Sequence, residues 1–288
     1  IYCELNPEER LCASRLPRIC SVVMFRKDKV FSLQSKNGKS YEVDVPPAKS
    51  DMPASYAFAF PRGGSTLLNN MLSSYCSEVG LPWVSLYDQA FSQGVATGLI
   101  AQDVQKILSE PGRIYLGFRH YPRFDFRIPP DSKTILLIRD PRDVLTSLYF
   151  SVKHSHALKN ESIMRANLEA NIMGINEFVI DKAQHTFGIY QSYEAKLINE
   201  GLKVYRYEDV VFDKFRWLRD MVETFGLPVY KRVIKKVAKG HDVKPLKEDI
   251  TKHVRSVIPG DHTRKLEAAT IYQLNQIFSS ILKTYNYK

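Results

Sequence analysis

The sequence predicts an α/β fold: a central parallel sheet flanked by helices, with a strand-loop-helix suited to phosphate and a small β-rich lobe at the N-terminus. Three observations predict it. Apolar runs of strand length alternate with stretches of helical periodicity from about residue 55 onward. One run, Ile135-Leu136-Leu137-Ile138, is continuously apolar, as strands buried on both faces are. The residues richest in chemistry stand where the strands end, the side on which parallel sheets bind ligands. With 288 residues, 44% hydrophobic and 25% charged, the chain can bury one sizeable core. Residues 1–50 are read as the lobe and 51–288 as the α/β domain.

The lobe shows alternating runs at Ser21 to Phe25, Lys29 to Leu33 and Tyr41 to Val45. Lys36-Asn37-Gly38-Lys39 supplies a hairpin turn, since Asn-Gly accepts positive φ. The expected job is a structural flap packed on the core, with substrate contact as the other reading. Pro46, Pro47 and Pro53 link it to the next strand.

That strand opens the most informative stretch, Tyr56-Ala57-Phe58-Ala59-Phe60-Pro61-Arg62-Gly63-Gly64-Ser65-Thr66-Leu67-Leu68. Phe60, before proline, favours extended backbone, and Gly63 and Gly64 let the chain curl closely around a ligand. Leu67, Leu68, Met71, Leu72 and Tyr75 recur at helical spacing. Loop N–H groups and a helix N-terminus then converge on an anion, with Arg62 adding a planar fork of donors and Ser65 and Thr66 adding hydroxyls. An ordinary glycine turn is the other reading of this stretch taken alone. A nucleoside-triphosphate P-loop lacks its Lys before the Ser/Thr pair here.

Further along, Asp88 to Ser109 reads as helical and Arg113 to Phe118 as a strand ending in Arg119-His120-Tyr121-Pro122. Lys133 to Ile138 ends in Arg139-Asp140-Pro141-Arg142-Asp143: Asp140 is a good N-cap, Pro141 fits the first helical position, and Asp143 complements the first turn. Val144, Leu145, Leu148 and Val152 mark the helix, with Ser147 beside that stripe. Helical stretches at Glu161 to Asp181 and His185 to Glu200 precede a strand, Leu202 to Arg206, that runs into Tyr207-Glu208-Asp209. Helices from Asp213 to Phe225 and Val229 to Lys239, a basic loop from Lys244 to Lys265, and a helix ending near Tyr285 complete the chain.

The net charge of +10 points to an anionic partner: a nucleotide, an acidic or sulfated glycan, nucleic acid or an anionic membrane surface. The 4 cysteines, Cys3, Cys12, Cys20 and Cys76, match no common zinc spacing, and a bridge among the first three stays open. No run is apolar and long enough to cross a bilayer, and the expected location is cytoplasmic.

With four strand ends in view, the sequence resembles the sulfotransferases that use 3'-phosphoadenosine 5'-phosphosulfate (PAPS), over roughly Ser55 to Leu266 and in the same motif order. The resemblance implies a P-loop-like sulfotransferase fold, PAPS as sulfuryl donor, no required metal and an acceptor hydroxyl on a glycan, lipid-linked sugar or phenol rather than a nucleic acid. It makes Phe60 to Leu67 the 5'-phosphosulfate loop, with Arg62 where many members carry Lys and Gly63 where they carry Ser. Arg139 and Ser147 correspond to the 3'-phosphate pair, and Tyr207 to the position of an aromatic near adenine, an ordinary core tyrosine being the other reading. His253 to Asp261 resembles the loop that folds over the donor. Arg255 and Gly260 fall on family positions there, while Ser256 and Val257 replace a Lys and a Gly; Arg264 and Lys265 are candidates for the missing charge. Arg142 either reaches a phosphate or pairs with an acid.

Phe118-Arg119-His120 stands where relatives carry Lys-Thr-His. This makes His120, whose unperturbed pKa lies near neutrality, the candidate general base. Arg119 either replaces the lysine's charge or points away, and Asp125 is the fallback base. Trp83 to Gln93, Pro122 to Pro130 and His154 to Met164 are expected to line the acceptor pocket, with Trp83, Tyr87, Phe91, Phe124 and Phe126 beside Arg123, Arg127 and Lys153. A nucleotide or sugar kinase and a non-catalytic polyanion-binding module are the alternatives.

Overall fold

The computed structural model describes residues 28–155, 161–197, 202–242 and 257–288. The strand expected at Ser21 to Phe25, the residues Cys3, Cys12, Cys20 and Arg255, and most of the basic loop lie outside the described residues. Cys76 is a buried free thiol.

In chain order, β1 (Lys29–Gln34) and β2 (Ser40–Val45) form a hairpin; then come β3 (Ser55–Ala59), α1 (Ser65–Glu78), β4 (Trp83–Val84), α2 (Leu86–Ser92), α3 (Gln105–Leu108), β5 (Ile114–Phe118) and β6 (Lys133–Ile138). After them follow α4 (Pro141–Phe150), α5 (Glu161–Ile172), α6 (Ile175–Leu197), β7 (Leu202–Arg206), α7 (Tyr207–Val210), α8 (Lys214–Thr224), α9 (Lys231–Gly240), α10 (Asp261–Lys265), α11 (Ala268–Ile277) and α12 (Ser279–Thr284). No described helix is long and apolar enough to cross a membrane.

Five strands form one parallel sheet in the order β4-β5-β3-β6-β7. The period of two along β3 sorts its side chains between two unlike faces. Ala57 and Ala59 face a core built with Leu68, Met71 and Leu72 of α1 and Leu218 of α8, and their small size lets α1 lie close to the sheet. Tyr56, Phe58 and Phe60 face a larger aromatic core with Tyr87, Tyr115, Phe118, Tyr190 and Tyr193.

The hairpin packs into that aromatic core through Tyr41, Val43 and Val45. Gln89 of α2 and Gln93 at the C-cap of that helix close its open edge. Gln93 accepts from the Glu42 N–H at 2.9 Å and donates to the Glu42 carbonyl at 2.7 Å, while Gln89 does the same for Asp44 at 2.8 and 3.1 Å. Residues one helical turn apart thus pair with residues two apart on a strand, and the edge is covered.

Several elements differ from expectation. The stretch Asp88 to Ser109 is not one helix: α2 stops before Gly94, whose φ of +79° is left-handed, and short 3-10 turns lead to α3. The two-residue β4 was not expected; its pairing with β5 makes it a strand, and two residues carry no periodicity. The break between the long helices falls between Ile172 and Ile175, beside Gly174, rather than before His185. The expected final helix divides into α11 and α12 around Phe278.

One irregularity bears on the site. On β3, Tyr56 pairs with Tyr115 and Phe58 with Phe118, so β5 carries an extra residue there, and Gly117 absorbs it at φ +87°. A Cβ at Gly117 would lie 2.4 Å from Ser85 Oγ, so packing as well as backbone requires glycine. Bulges of this kind re-aim the side chains that follow, here Arg119 and His120.

Candidate active site

The turn after β3 is shaped by left-handed backbone at Arg62 (φ +60°) and Gly64 (φ +95°). Phe60 extends the ladder by donating to the Leu137 carbonyl at 2.8 Å, and Gly63 closes the turn by donating to the Phe60 carbonyl at 2.9 Å. A Cβ on Gly63 would meet the Phe60 oxygen at 3.0 Å, and one on Gly64 would meet Tyr207 Cδ2 at 2.8 Å. Both glycines are therefore required by close packing, Gly63 against Phe60 and Gly64 against the Tyr207 ring. α1 begins with no side-chain cap and no acid in its first turn, so its first N–H groups keep their capacity for an anion. Ser65 is buried at the helix start and Thr66 is exposed.

The strand order places the end of β6 beside the end of β3, and Arg139 there reaches Arg62. Arg139 donates to the Arg62 carbonyl at 3.4 Å and to Asp143 Oδ2 at 3.4 Å, and its guanidinium lies 4.6 Å from the centre of the Tyr207 ring. The Arg62 guanidinium donates to Ser147 Oγ at 3.5 Å. These distances are long for hydrogen bonds, so the donors retain strength for a better acceptor. Arg139 Nε is buried and has no hydrogen-bond partner among the described residues. An orphaned buried donor, an uncapped helix start and neighbouring guanidinium forks fit a phosphate or sulfate group.

Two tyrosines of α6, invisible to motif reading, fix these strand ends. Tyr193 donates to the Ala59 carbonyl at 3.1 Å and Tyr190 donates to the Arg139 carbonyl, while the Tyr190 ring stacks on Phe60 at 4.0 Å. Complete burial pushes both hydroxyl pKa values well above the usual range, so both remain donors. Tyr207 forms a wall of the loop: it is buried, its edge lies against Gly64, and its hydroxyl donates to the Val257 carbonyl at 3.1 Å.

Arg142 pairs with an acid. Its Nε donates to Asp140 Oδ1 at 3.0 Å, one NH2 to Oδ2 at 2.6 Å, and its NH1 to Asn275 at 2.7 Å. Asp140 is the N-cap of α4, accepting from Arg142 N–H at 2.9 Å. Gly260 donates its N–H to Asp143, and Arg264 donates to Asp261 at 3.3 Å.

At the end of β5, Arg119 donates to Asp88 Oδ1 at 2.7 Å. Of the two readings of this residue, the structure shows it turned to a carboxylate on α2. His120 has no hydrogen-bond partner among the described residues, and burial, then the charges of Arg123, His185 and Arg119, lower its pKa to about 4. The imidazole is thus neutral across a wider range than the near-neutral value expected from sequence. Asp125 is exposed.

The expected acceptor-lining aromatics divide. Tyr87 and Phe126 are core residues, packed at 5.2 Å against Phe118 and 5.8 Å against Tyr56, whereas Phe91 is exposed. Trp83, Ser85, Asp88 and Gln89 border an open cleft of about 600 Å³ with Asn69 and Ser73 of α1.

A family model described as a sulfotransferase domain matches residues 120–285, more than half of the chain. The chain belongs to the sulfotransferase family. The match begins at His120, so the loop after β3 lies before it. The sulfotransferase fold is shared with the mouse sulfotransferase SULT7A1 complexed with PAP, at 14% identity and a TM-score of 0.56 over 82% of this chain and 86% of that one. It is shared as well with retinol dehydratase in complex with androsterone and the inactive cofactor PAP, at 12% identity and 0.51 over 90% of each chain. No curated protein matches the sequence. Family membership sets aside the kinase and the non-catalytic module, and bears out both the resemblance and the fold class read from sequence.

Proposed function

We propose that this sulfotransferase moves a sulfuryl group from PAPS to an acceptor hydroxyl and releases adenosine 3',5'-bisphosphate (PAP), and that Arg62, Arg139 and Ser147 hold the donor's anionic groups. The observation that carries the reading is the mutual contact of Arg62, Arg139 and Ser147 beside the double-glycine turn, from the segments that follow β3 and β6 and from α4. The two structural relatives were solved with PAP, which supports the same donor here.

PAPS supplies an activated sulfuryl group. Gly64, Ser65 and Thr66 offer backbone and hydroxyl donors to its 5'-phosphosulfate, Gly63 shapes the turn that presents them, and Arg62 balances charge that grows on the leaving oxygen. Arg139 and Ser147 receive the 3'-phosphate, Tyr207 walls the site beside the adenosine, and Arg255 and Gly260 belong to the segment covering it. His120, neutral and without a competing partner, takes the proton of the acceptor hydroxyl. Arg119 contributes charge near that end while bound to Asp88.

The acceptor reading is a glycan, lipid-linked or phenolic hydroxyl, with small molecules favoured by the androsterone bound to retinol dehydratase. The cytoplasmic location expected from sequence belongs to this reading. A screen of glycans, lipid-linked sugars and phenols with sulfur-labelled PAPS tests it. The expected result is a labelled product matched mole for mole by released PAP; PAP-free labelling, or consumption of ATP with magnesium instead of PAPS, would overturn it.

A further inference from the structure

Asp143, one helical turn beyond Arg139, has no part in the reading above, yet four donors converge on it, one from Arg139 and three from residues 260–262 far along the chain. Its side chain is fully buried. Oδ2 accepts from the Arg139 guanidinium at 3.4 Å and from the Gly260 N–H at 2.8 Å. Oδ1 accepts from the His262 N–H at 2.9 Å and from His262 Nδ1 at 2.7 Å. Burial alone would raise the carboxyl's pKa, but the His262 hydrogen bonds and the Arg139 charge hold it well below the usual range, so it is ionised and His262 Nδ1 is the donor.

The same C-terminal segment is tied a second time, where Tyr207 donates to Val257. Tyr207 touches Arg139 and Gly64, so the contacts form a closed circuit from Arg139 through Asp143, residues 257–262 and Tyr207 back to Arg139. Gly260 permits the circuit through its backbone: its φ is +75°, and a Cβ there would meet nothing nearer than 3.8 Å.

We propose that Asp143 and His262 are positioning residues of the donor site: their clasp fixes the guanidinium of Arg139 toward the 3'-phosphate and couples it to the segment around Gly260. The inference rests on the donor reading given above. A guanidinium already held by one carboxylate and one ring loses less freedom on meeting an anion, so the clasp contributes through pre-organisation.

His262→Leu removes the Nδ1 donor while keeping bulk, and His262→Asn restores a donor near the same place. PAP affinity by calorimetry and PAPS kinetics are measured on both, with melting temperature as a control. For His262→Leu the expected result is about tenfold weaker PAP binding and a matching rise in KM for PAPS, with kcat unchanged within about twofold, and with most of the loss recovered in His262→Asn. Asp143→Asn, isosteric and uncharged, is expected to show the same split if His262→Leu does not fold. Unchanged PAP affinity in either folded variant overturns the clasp alone, as does a fall confined to kcat. Tighter PAP binding by Asp143→Asn also overturns it, because the carboxylate would then be competing with the phosphate. Failure of the wild type to bind PAP overturns the donor reading and the clasp with it.

Discussion

The ends of β3 and β6 and the end of β5 are neighbours in one sheet but are built on different terms. At the first, Arg62 and Arg139 are held by a carbonyl, a hydroxyl, a ring and a carboxylate, and α6 fixes the strand ends through Tyr190 and Tyr193. At the second, Arg119 is paired with Asp88 and His120 stands without a hydrogen-bonded partner among the described residues. In the proposed reading the anion-binding pole is pre-organised, whereas the proton-accepting pole keeps its ring available for the acceptor hydroxyl. A donor common to a family requires fixed charges, while acceptors vary and leave the second pole fewer obligations.

The sharpest way to break this contrast is to remove each pole separately. His120→Ala is expected to lower kcat by about 10²- to 10⁴-fold with PAP affinity nearly unchanged in calorimetry; near-normal turnover would move the base elsewhere. The same ring carries a stability signature. Its pKa stands at 6.5 when unfolded and about 4 when folded, so the unfolded chain takes up a proton that the folded state rejects. Its contribution is complete above pH 6.5 and is lost as pH falls toward 4, and urea melts of His120→Asn should show a flatter pH slope across that window than the wild type.

Arg62→Gly separates charge from conformation. Losing the guanidinium should lower kcat/KM by about 10²- to 10³-fold. Glycine accepts the left-handed φ of +60° at that position, so stability should rise by up to about 1 kcal/mol in a denaturant melt. Gly64→Ala does the reverse: at φ +95° and 2.8 Å from Tyr207, its Cβ should cost about 1–3 kcal/mol and distort the loop. The smallest effect is expected from Gln89→Ala, which frees one N–H and one carbonyl of β2 and should cost about 1 kcal/mol in a denaturant melt.

How much was legible follows from how local each signal is. The turn Pro61-Arg62-Gly63-Gly64 could be read because its backbone demands are written in adjacent residues, and Arg139, Pro141 and Ser147 because they share one strand-helix junction. The capping role of Asp140 was read for the same reason. Tyr190 and Tyr193 were read only as part of a helix, since a buried hydroxyl's partner lies on another element. Asp143 was legible as a first-turn acid, but its bond to His262, 119 residues away, was not. The lowered pKa of His120 depends on burial and on Arg123 and His185, which no spacing discloses. Composition could not distinguish Tyr87 and Phe126, which build the core, from exposed Phe91.

Calorimetric titration of PAP into metal-free protein, run in parallel on the wild type, Arg62→Ala and Arg139→Ala, tests the joint grip of the two arginines most directly. Saturable binding by the wild type, weakened at least about tenfold by each substitution, is the expected result. Equal PAP affinity in all three proteins would contradict it.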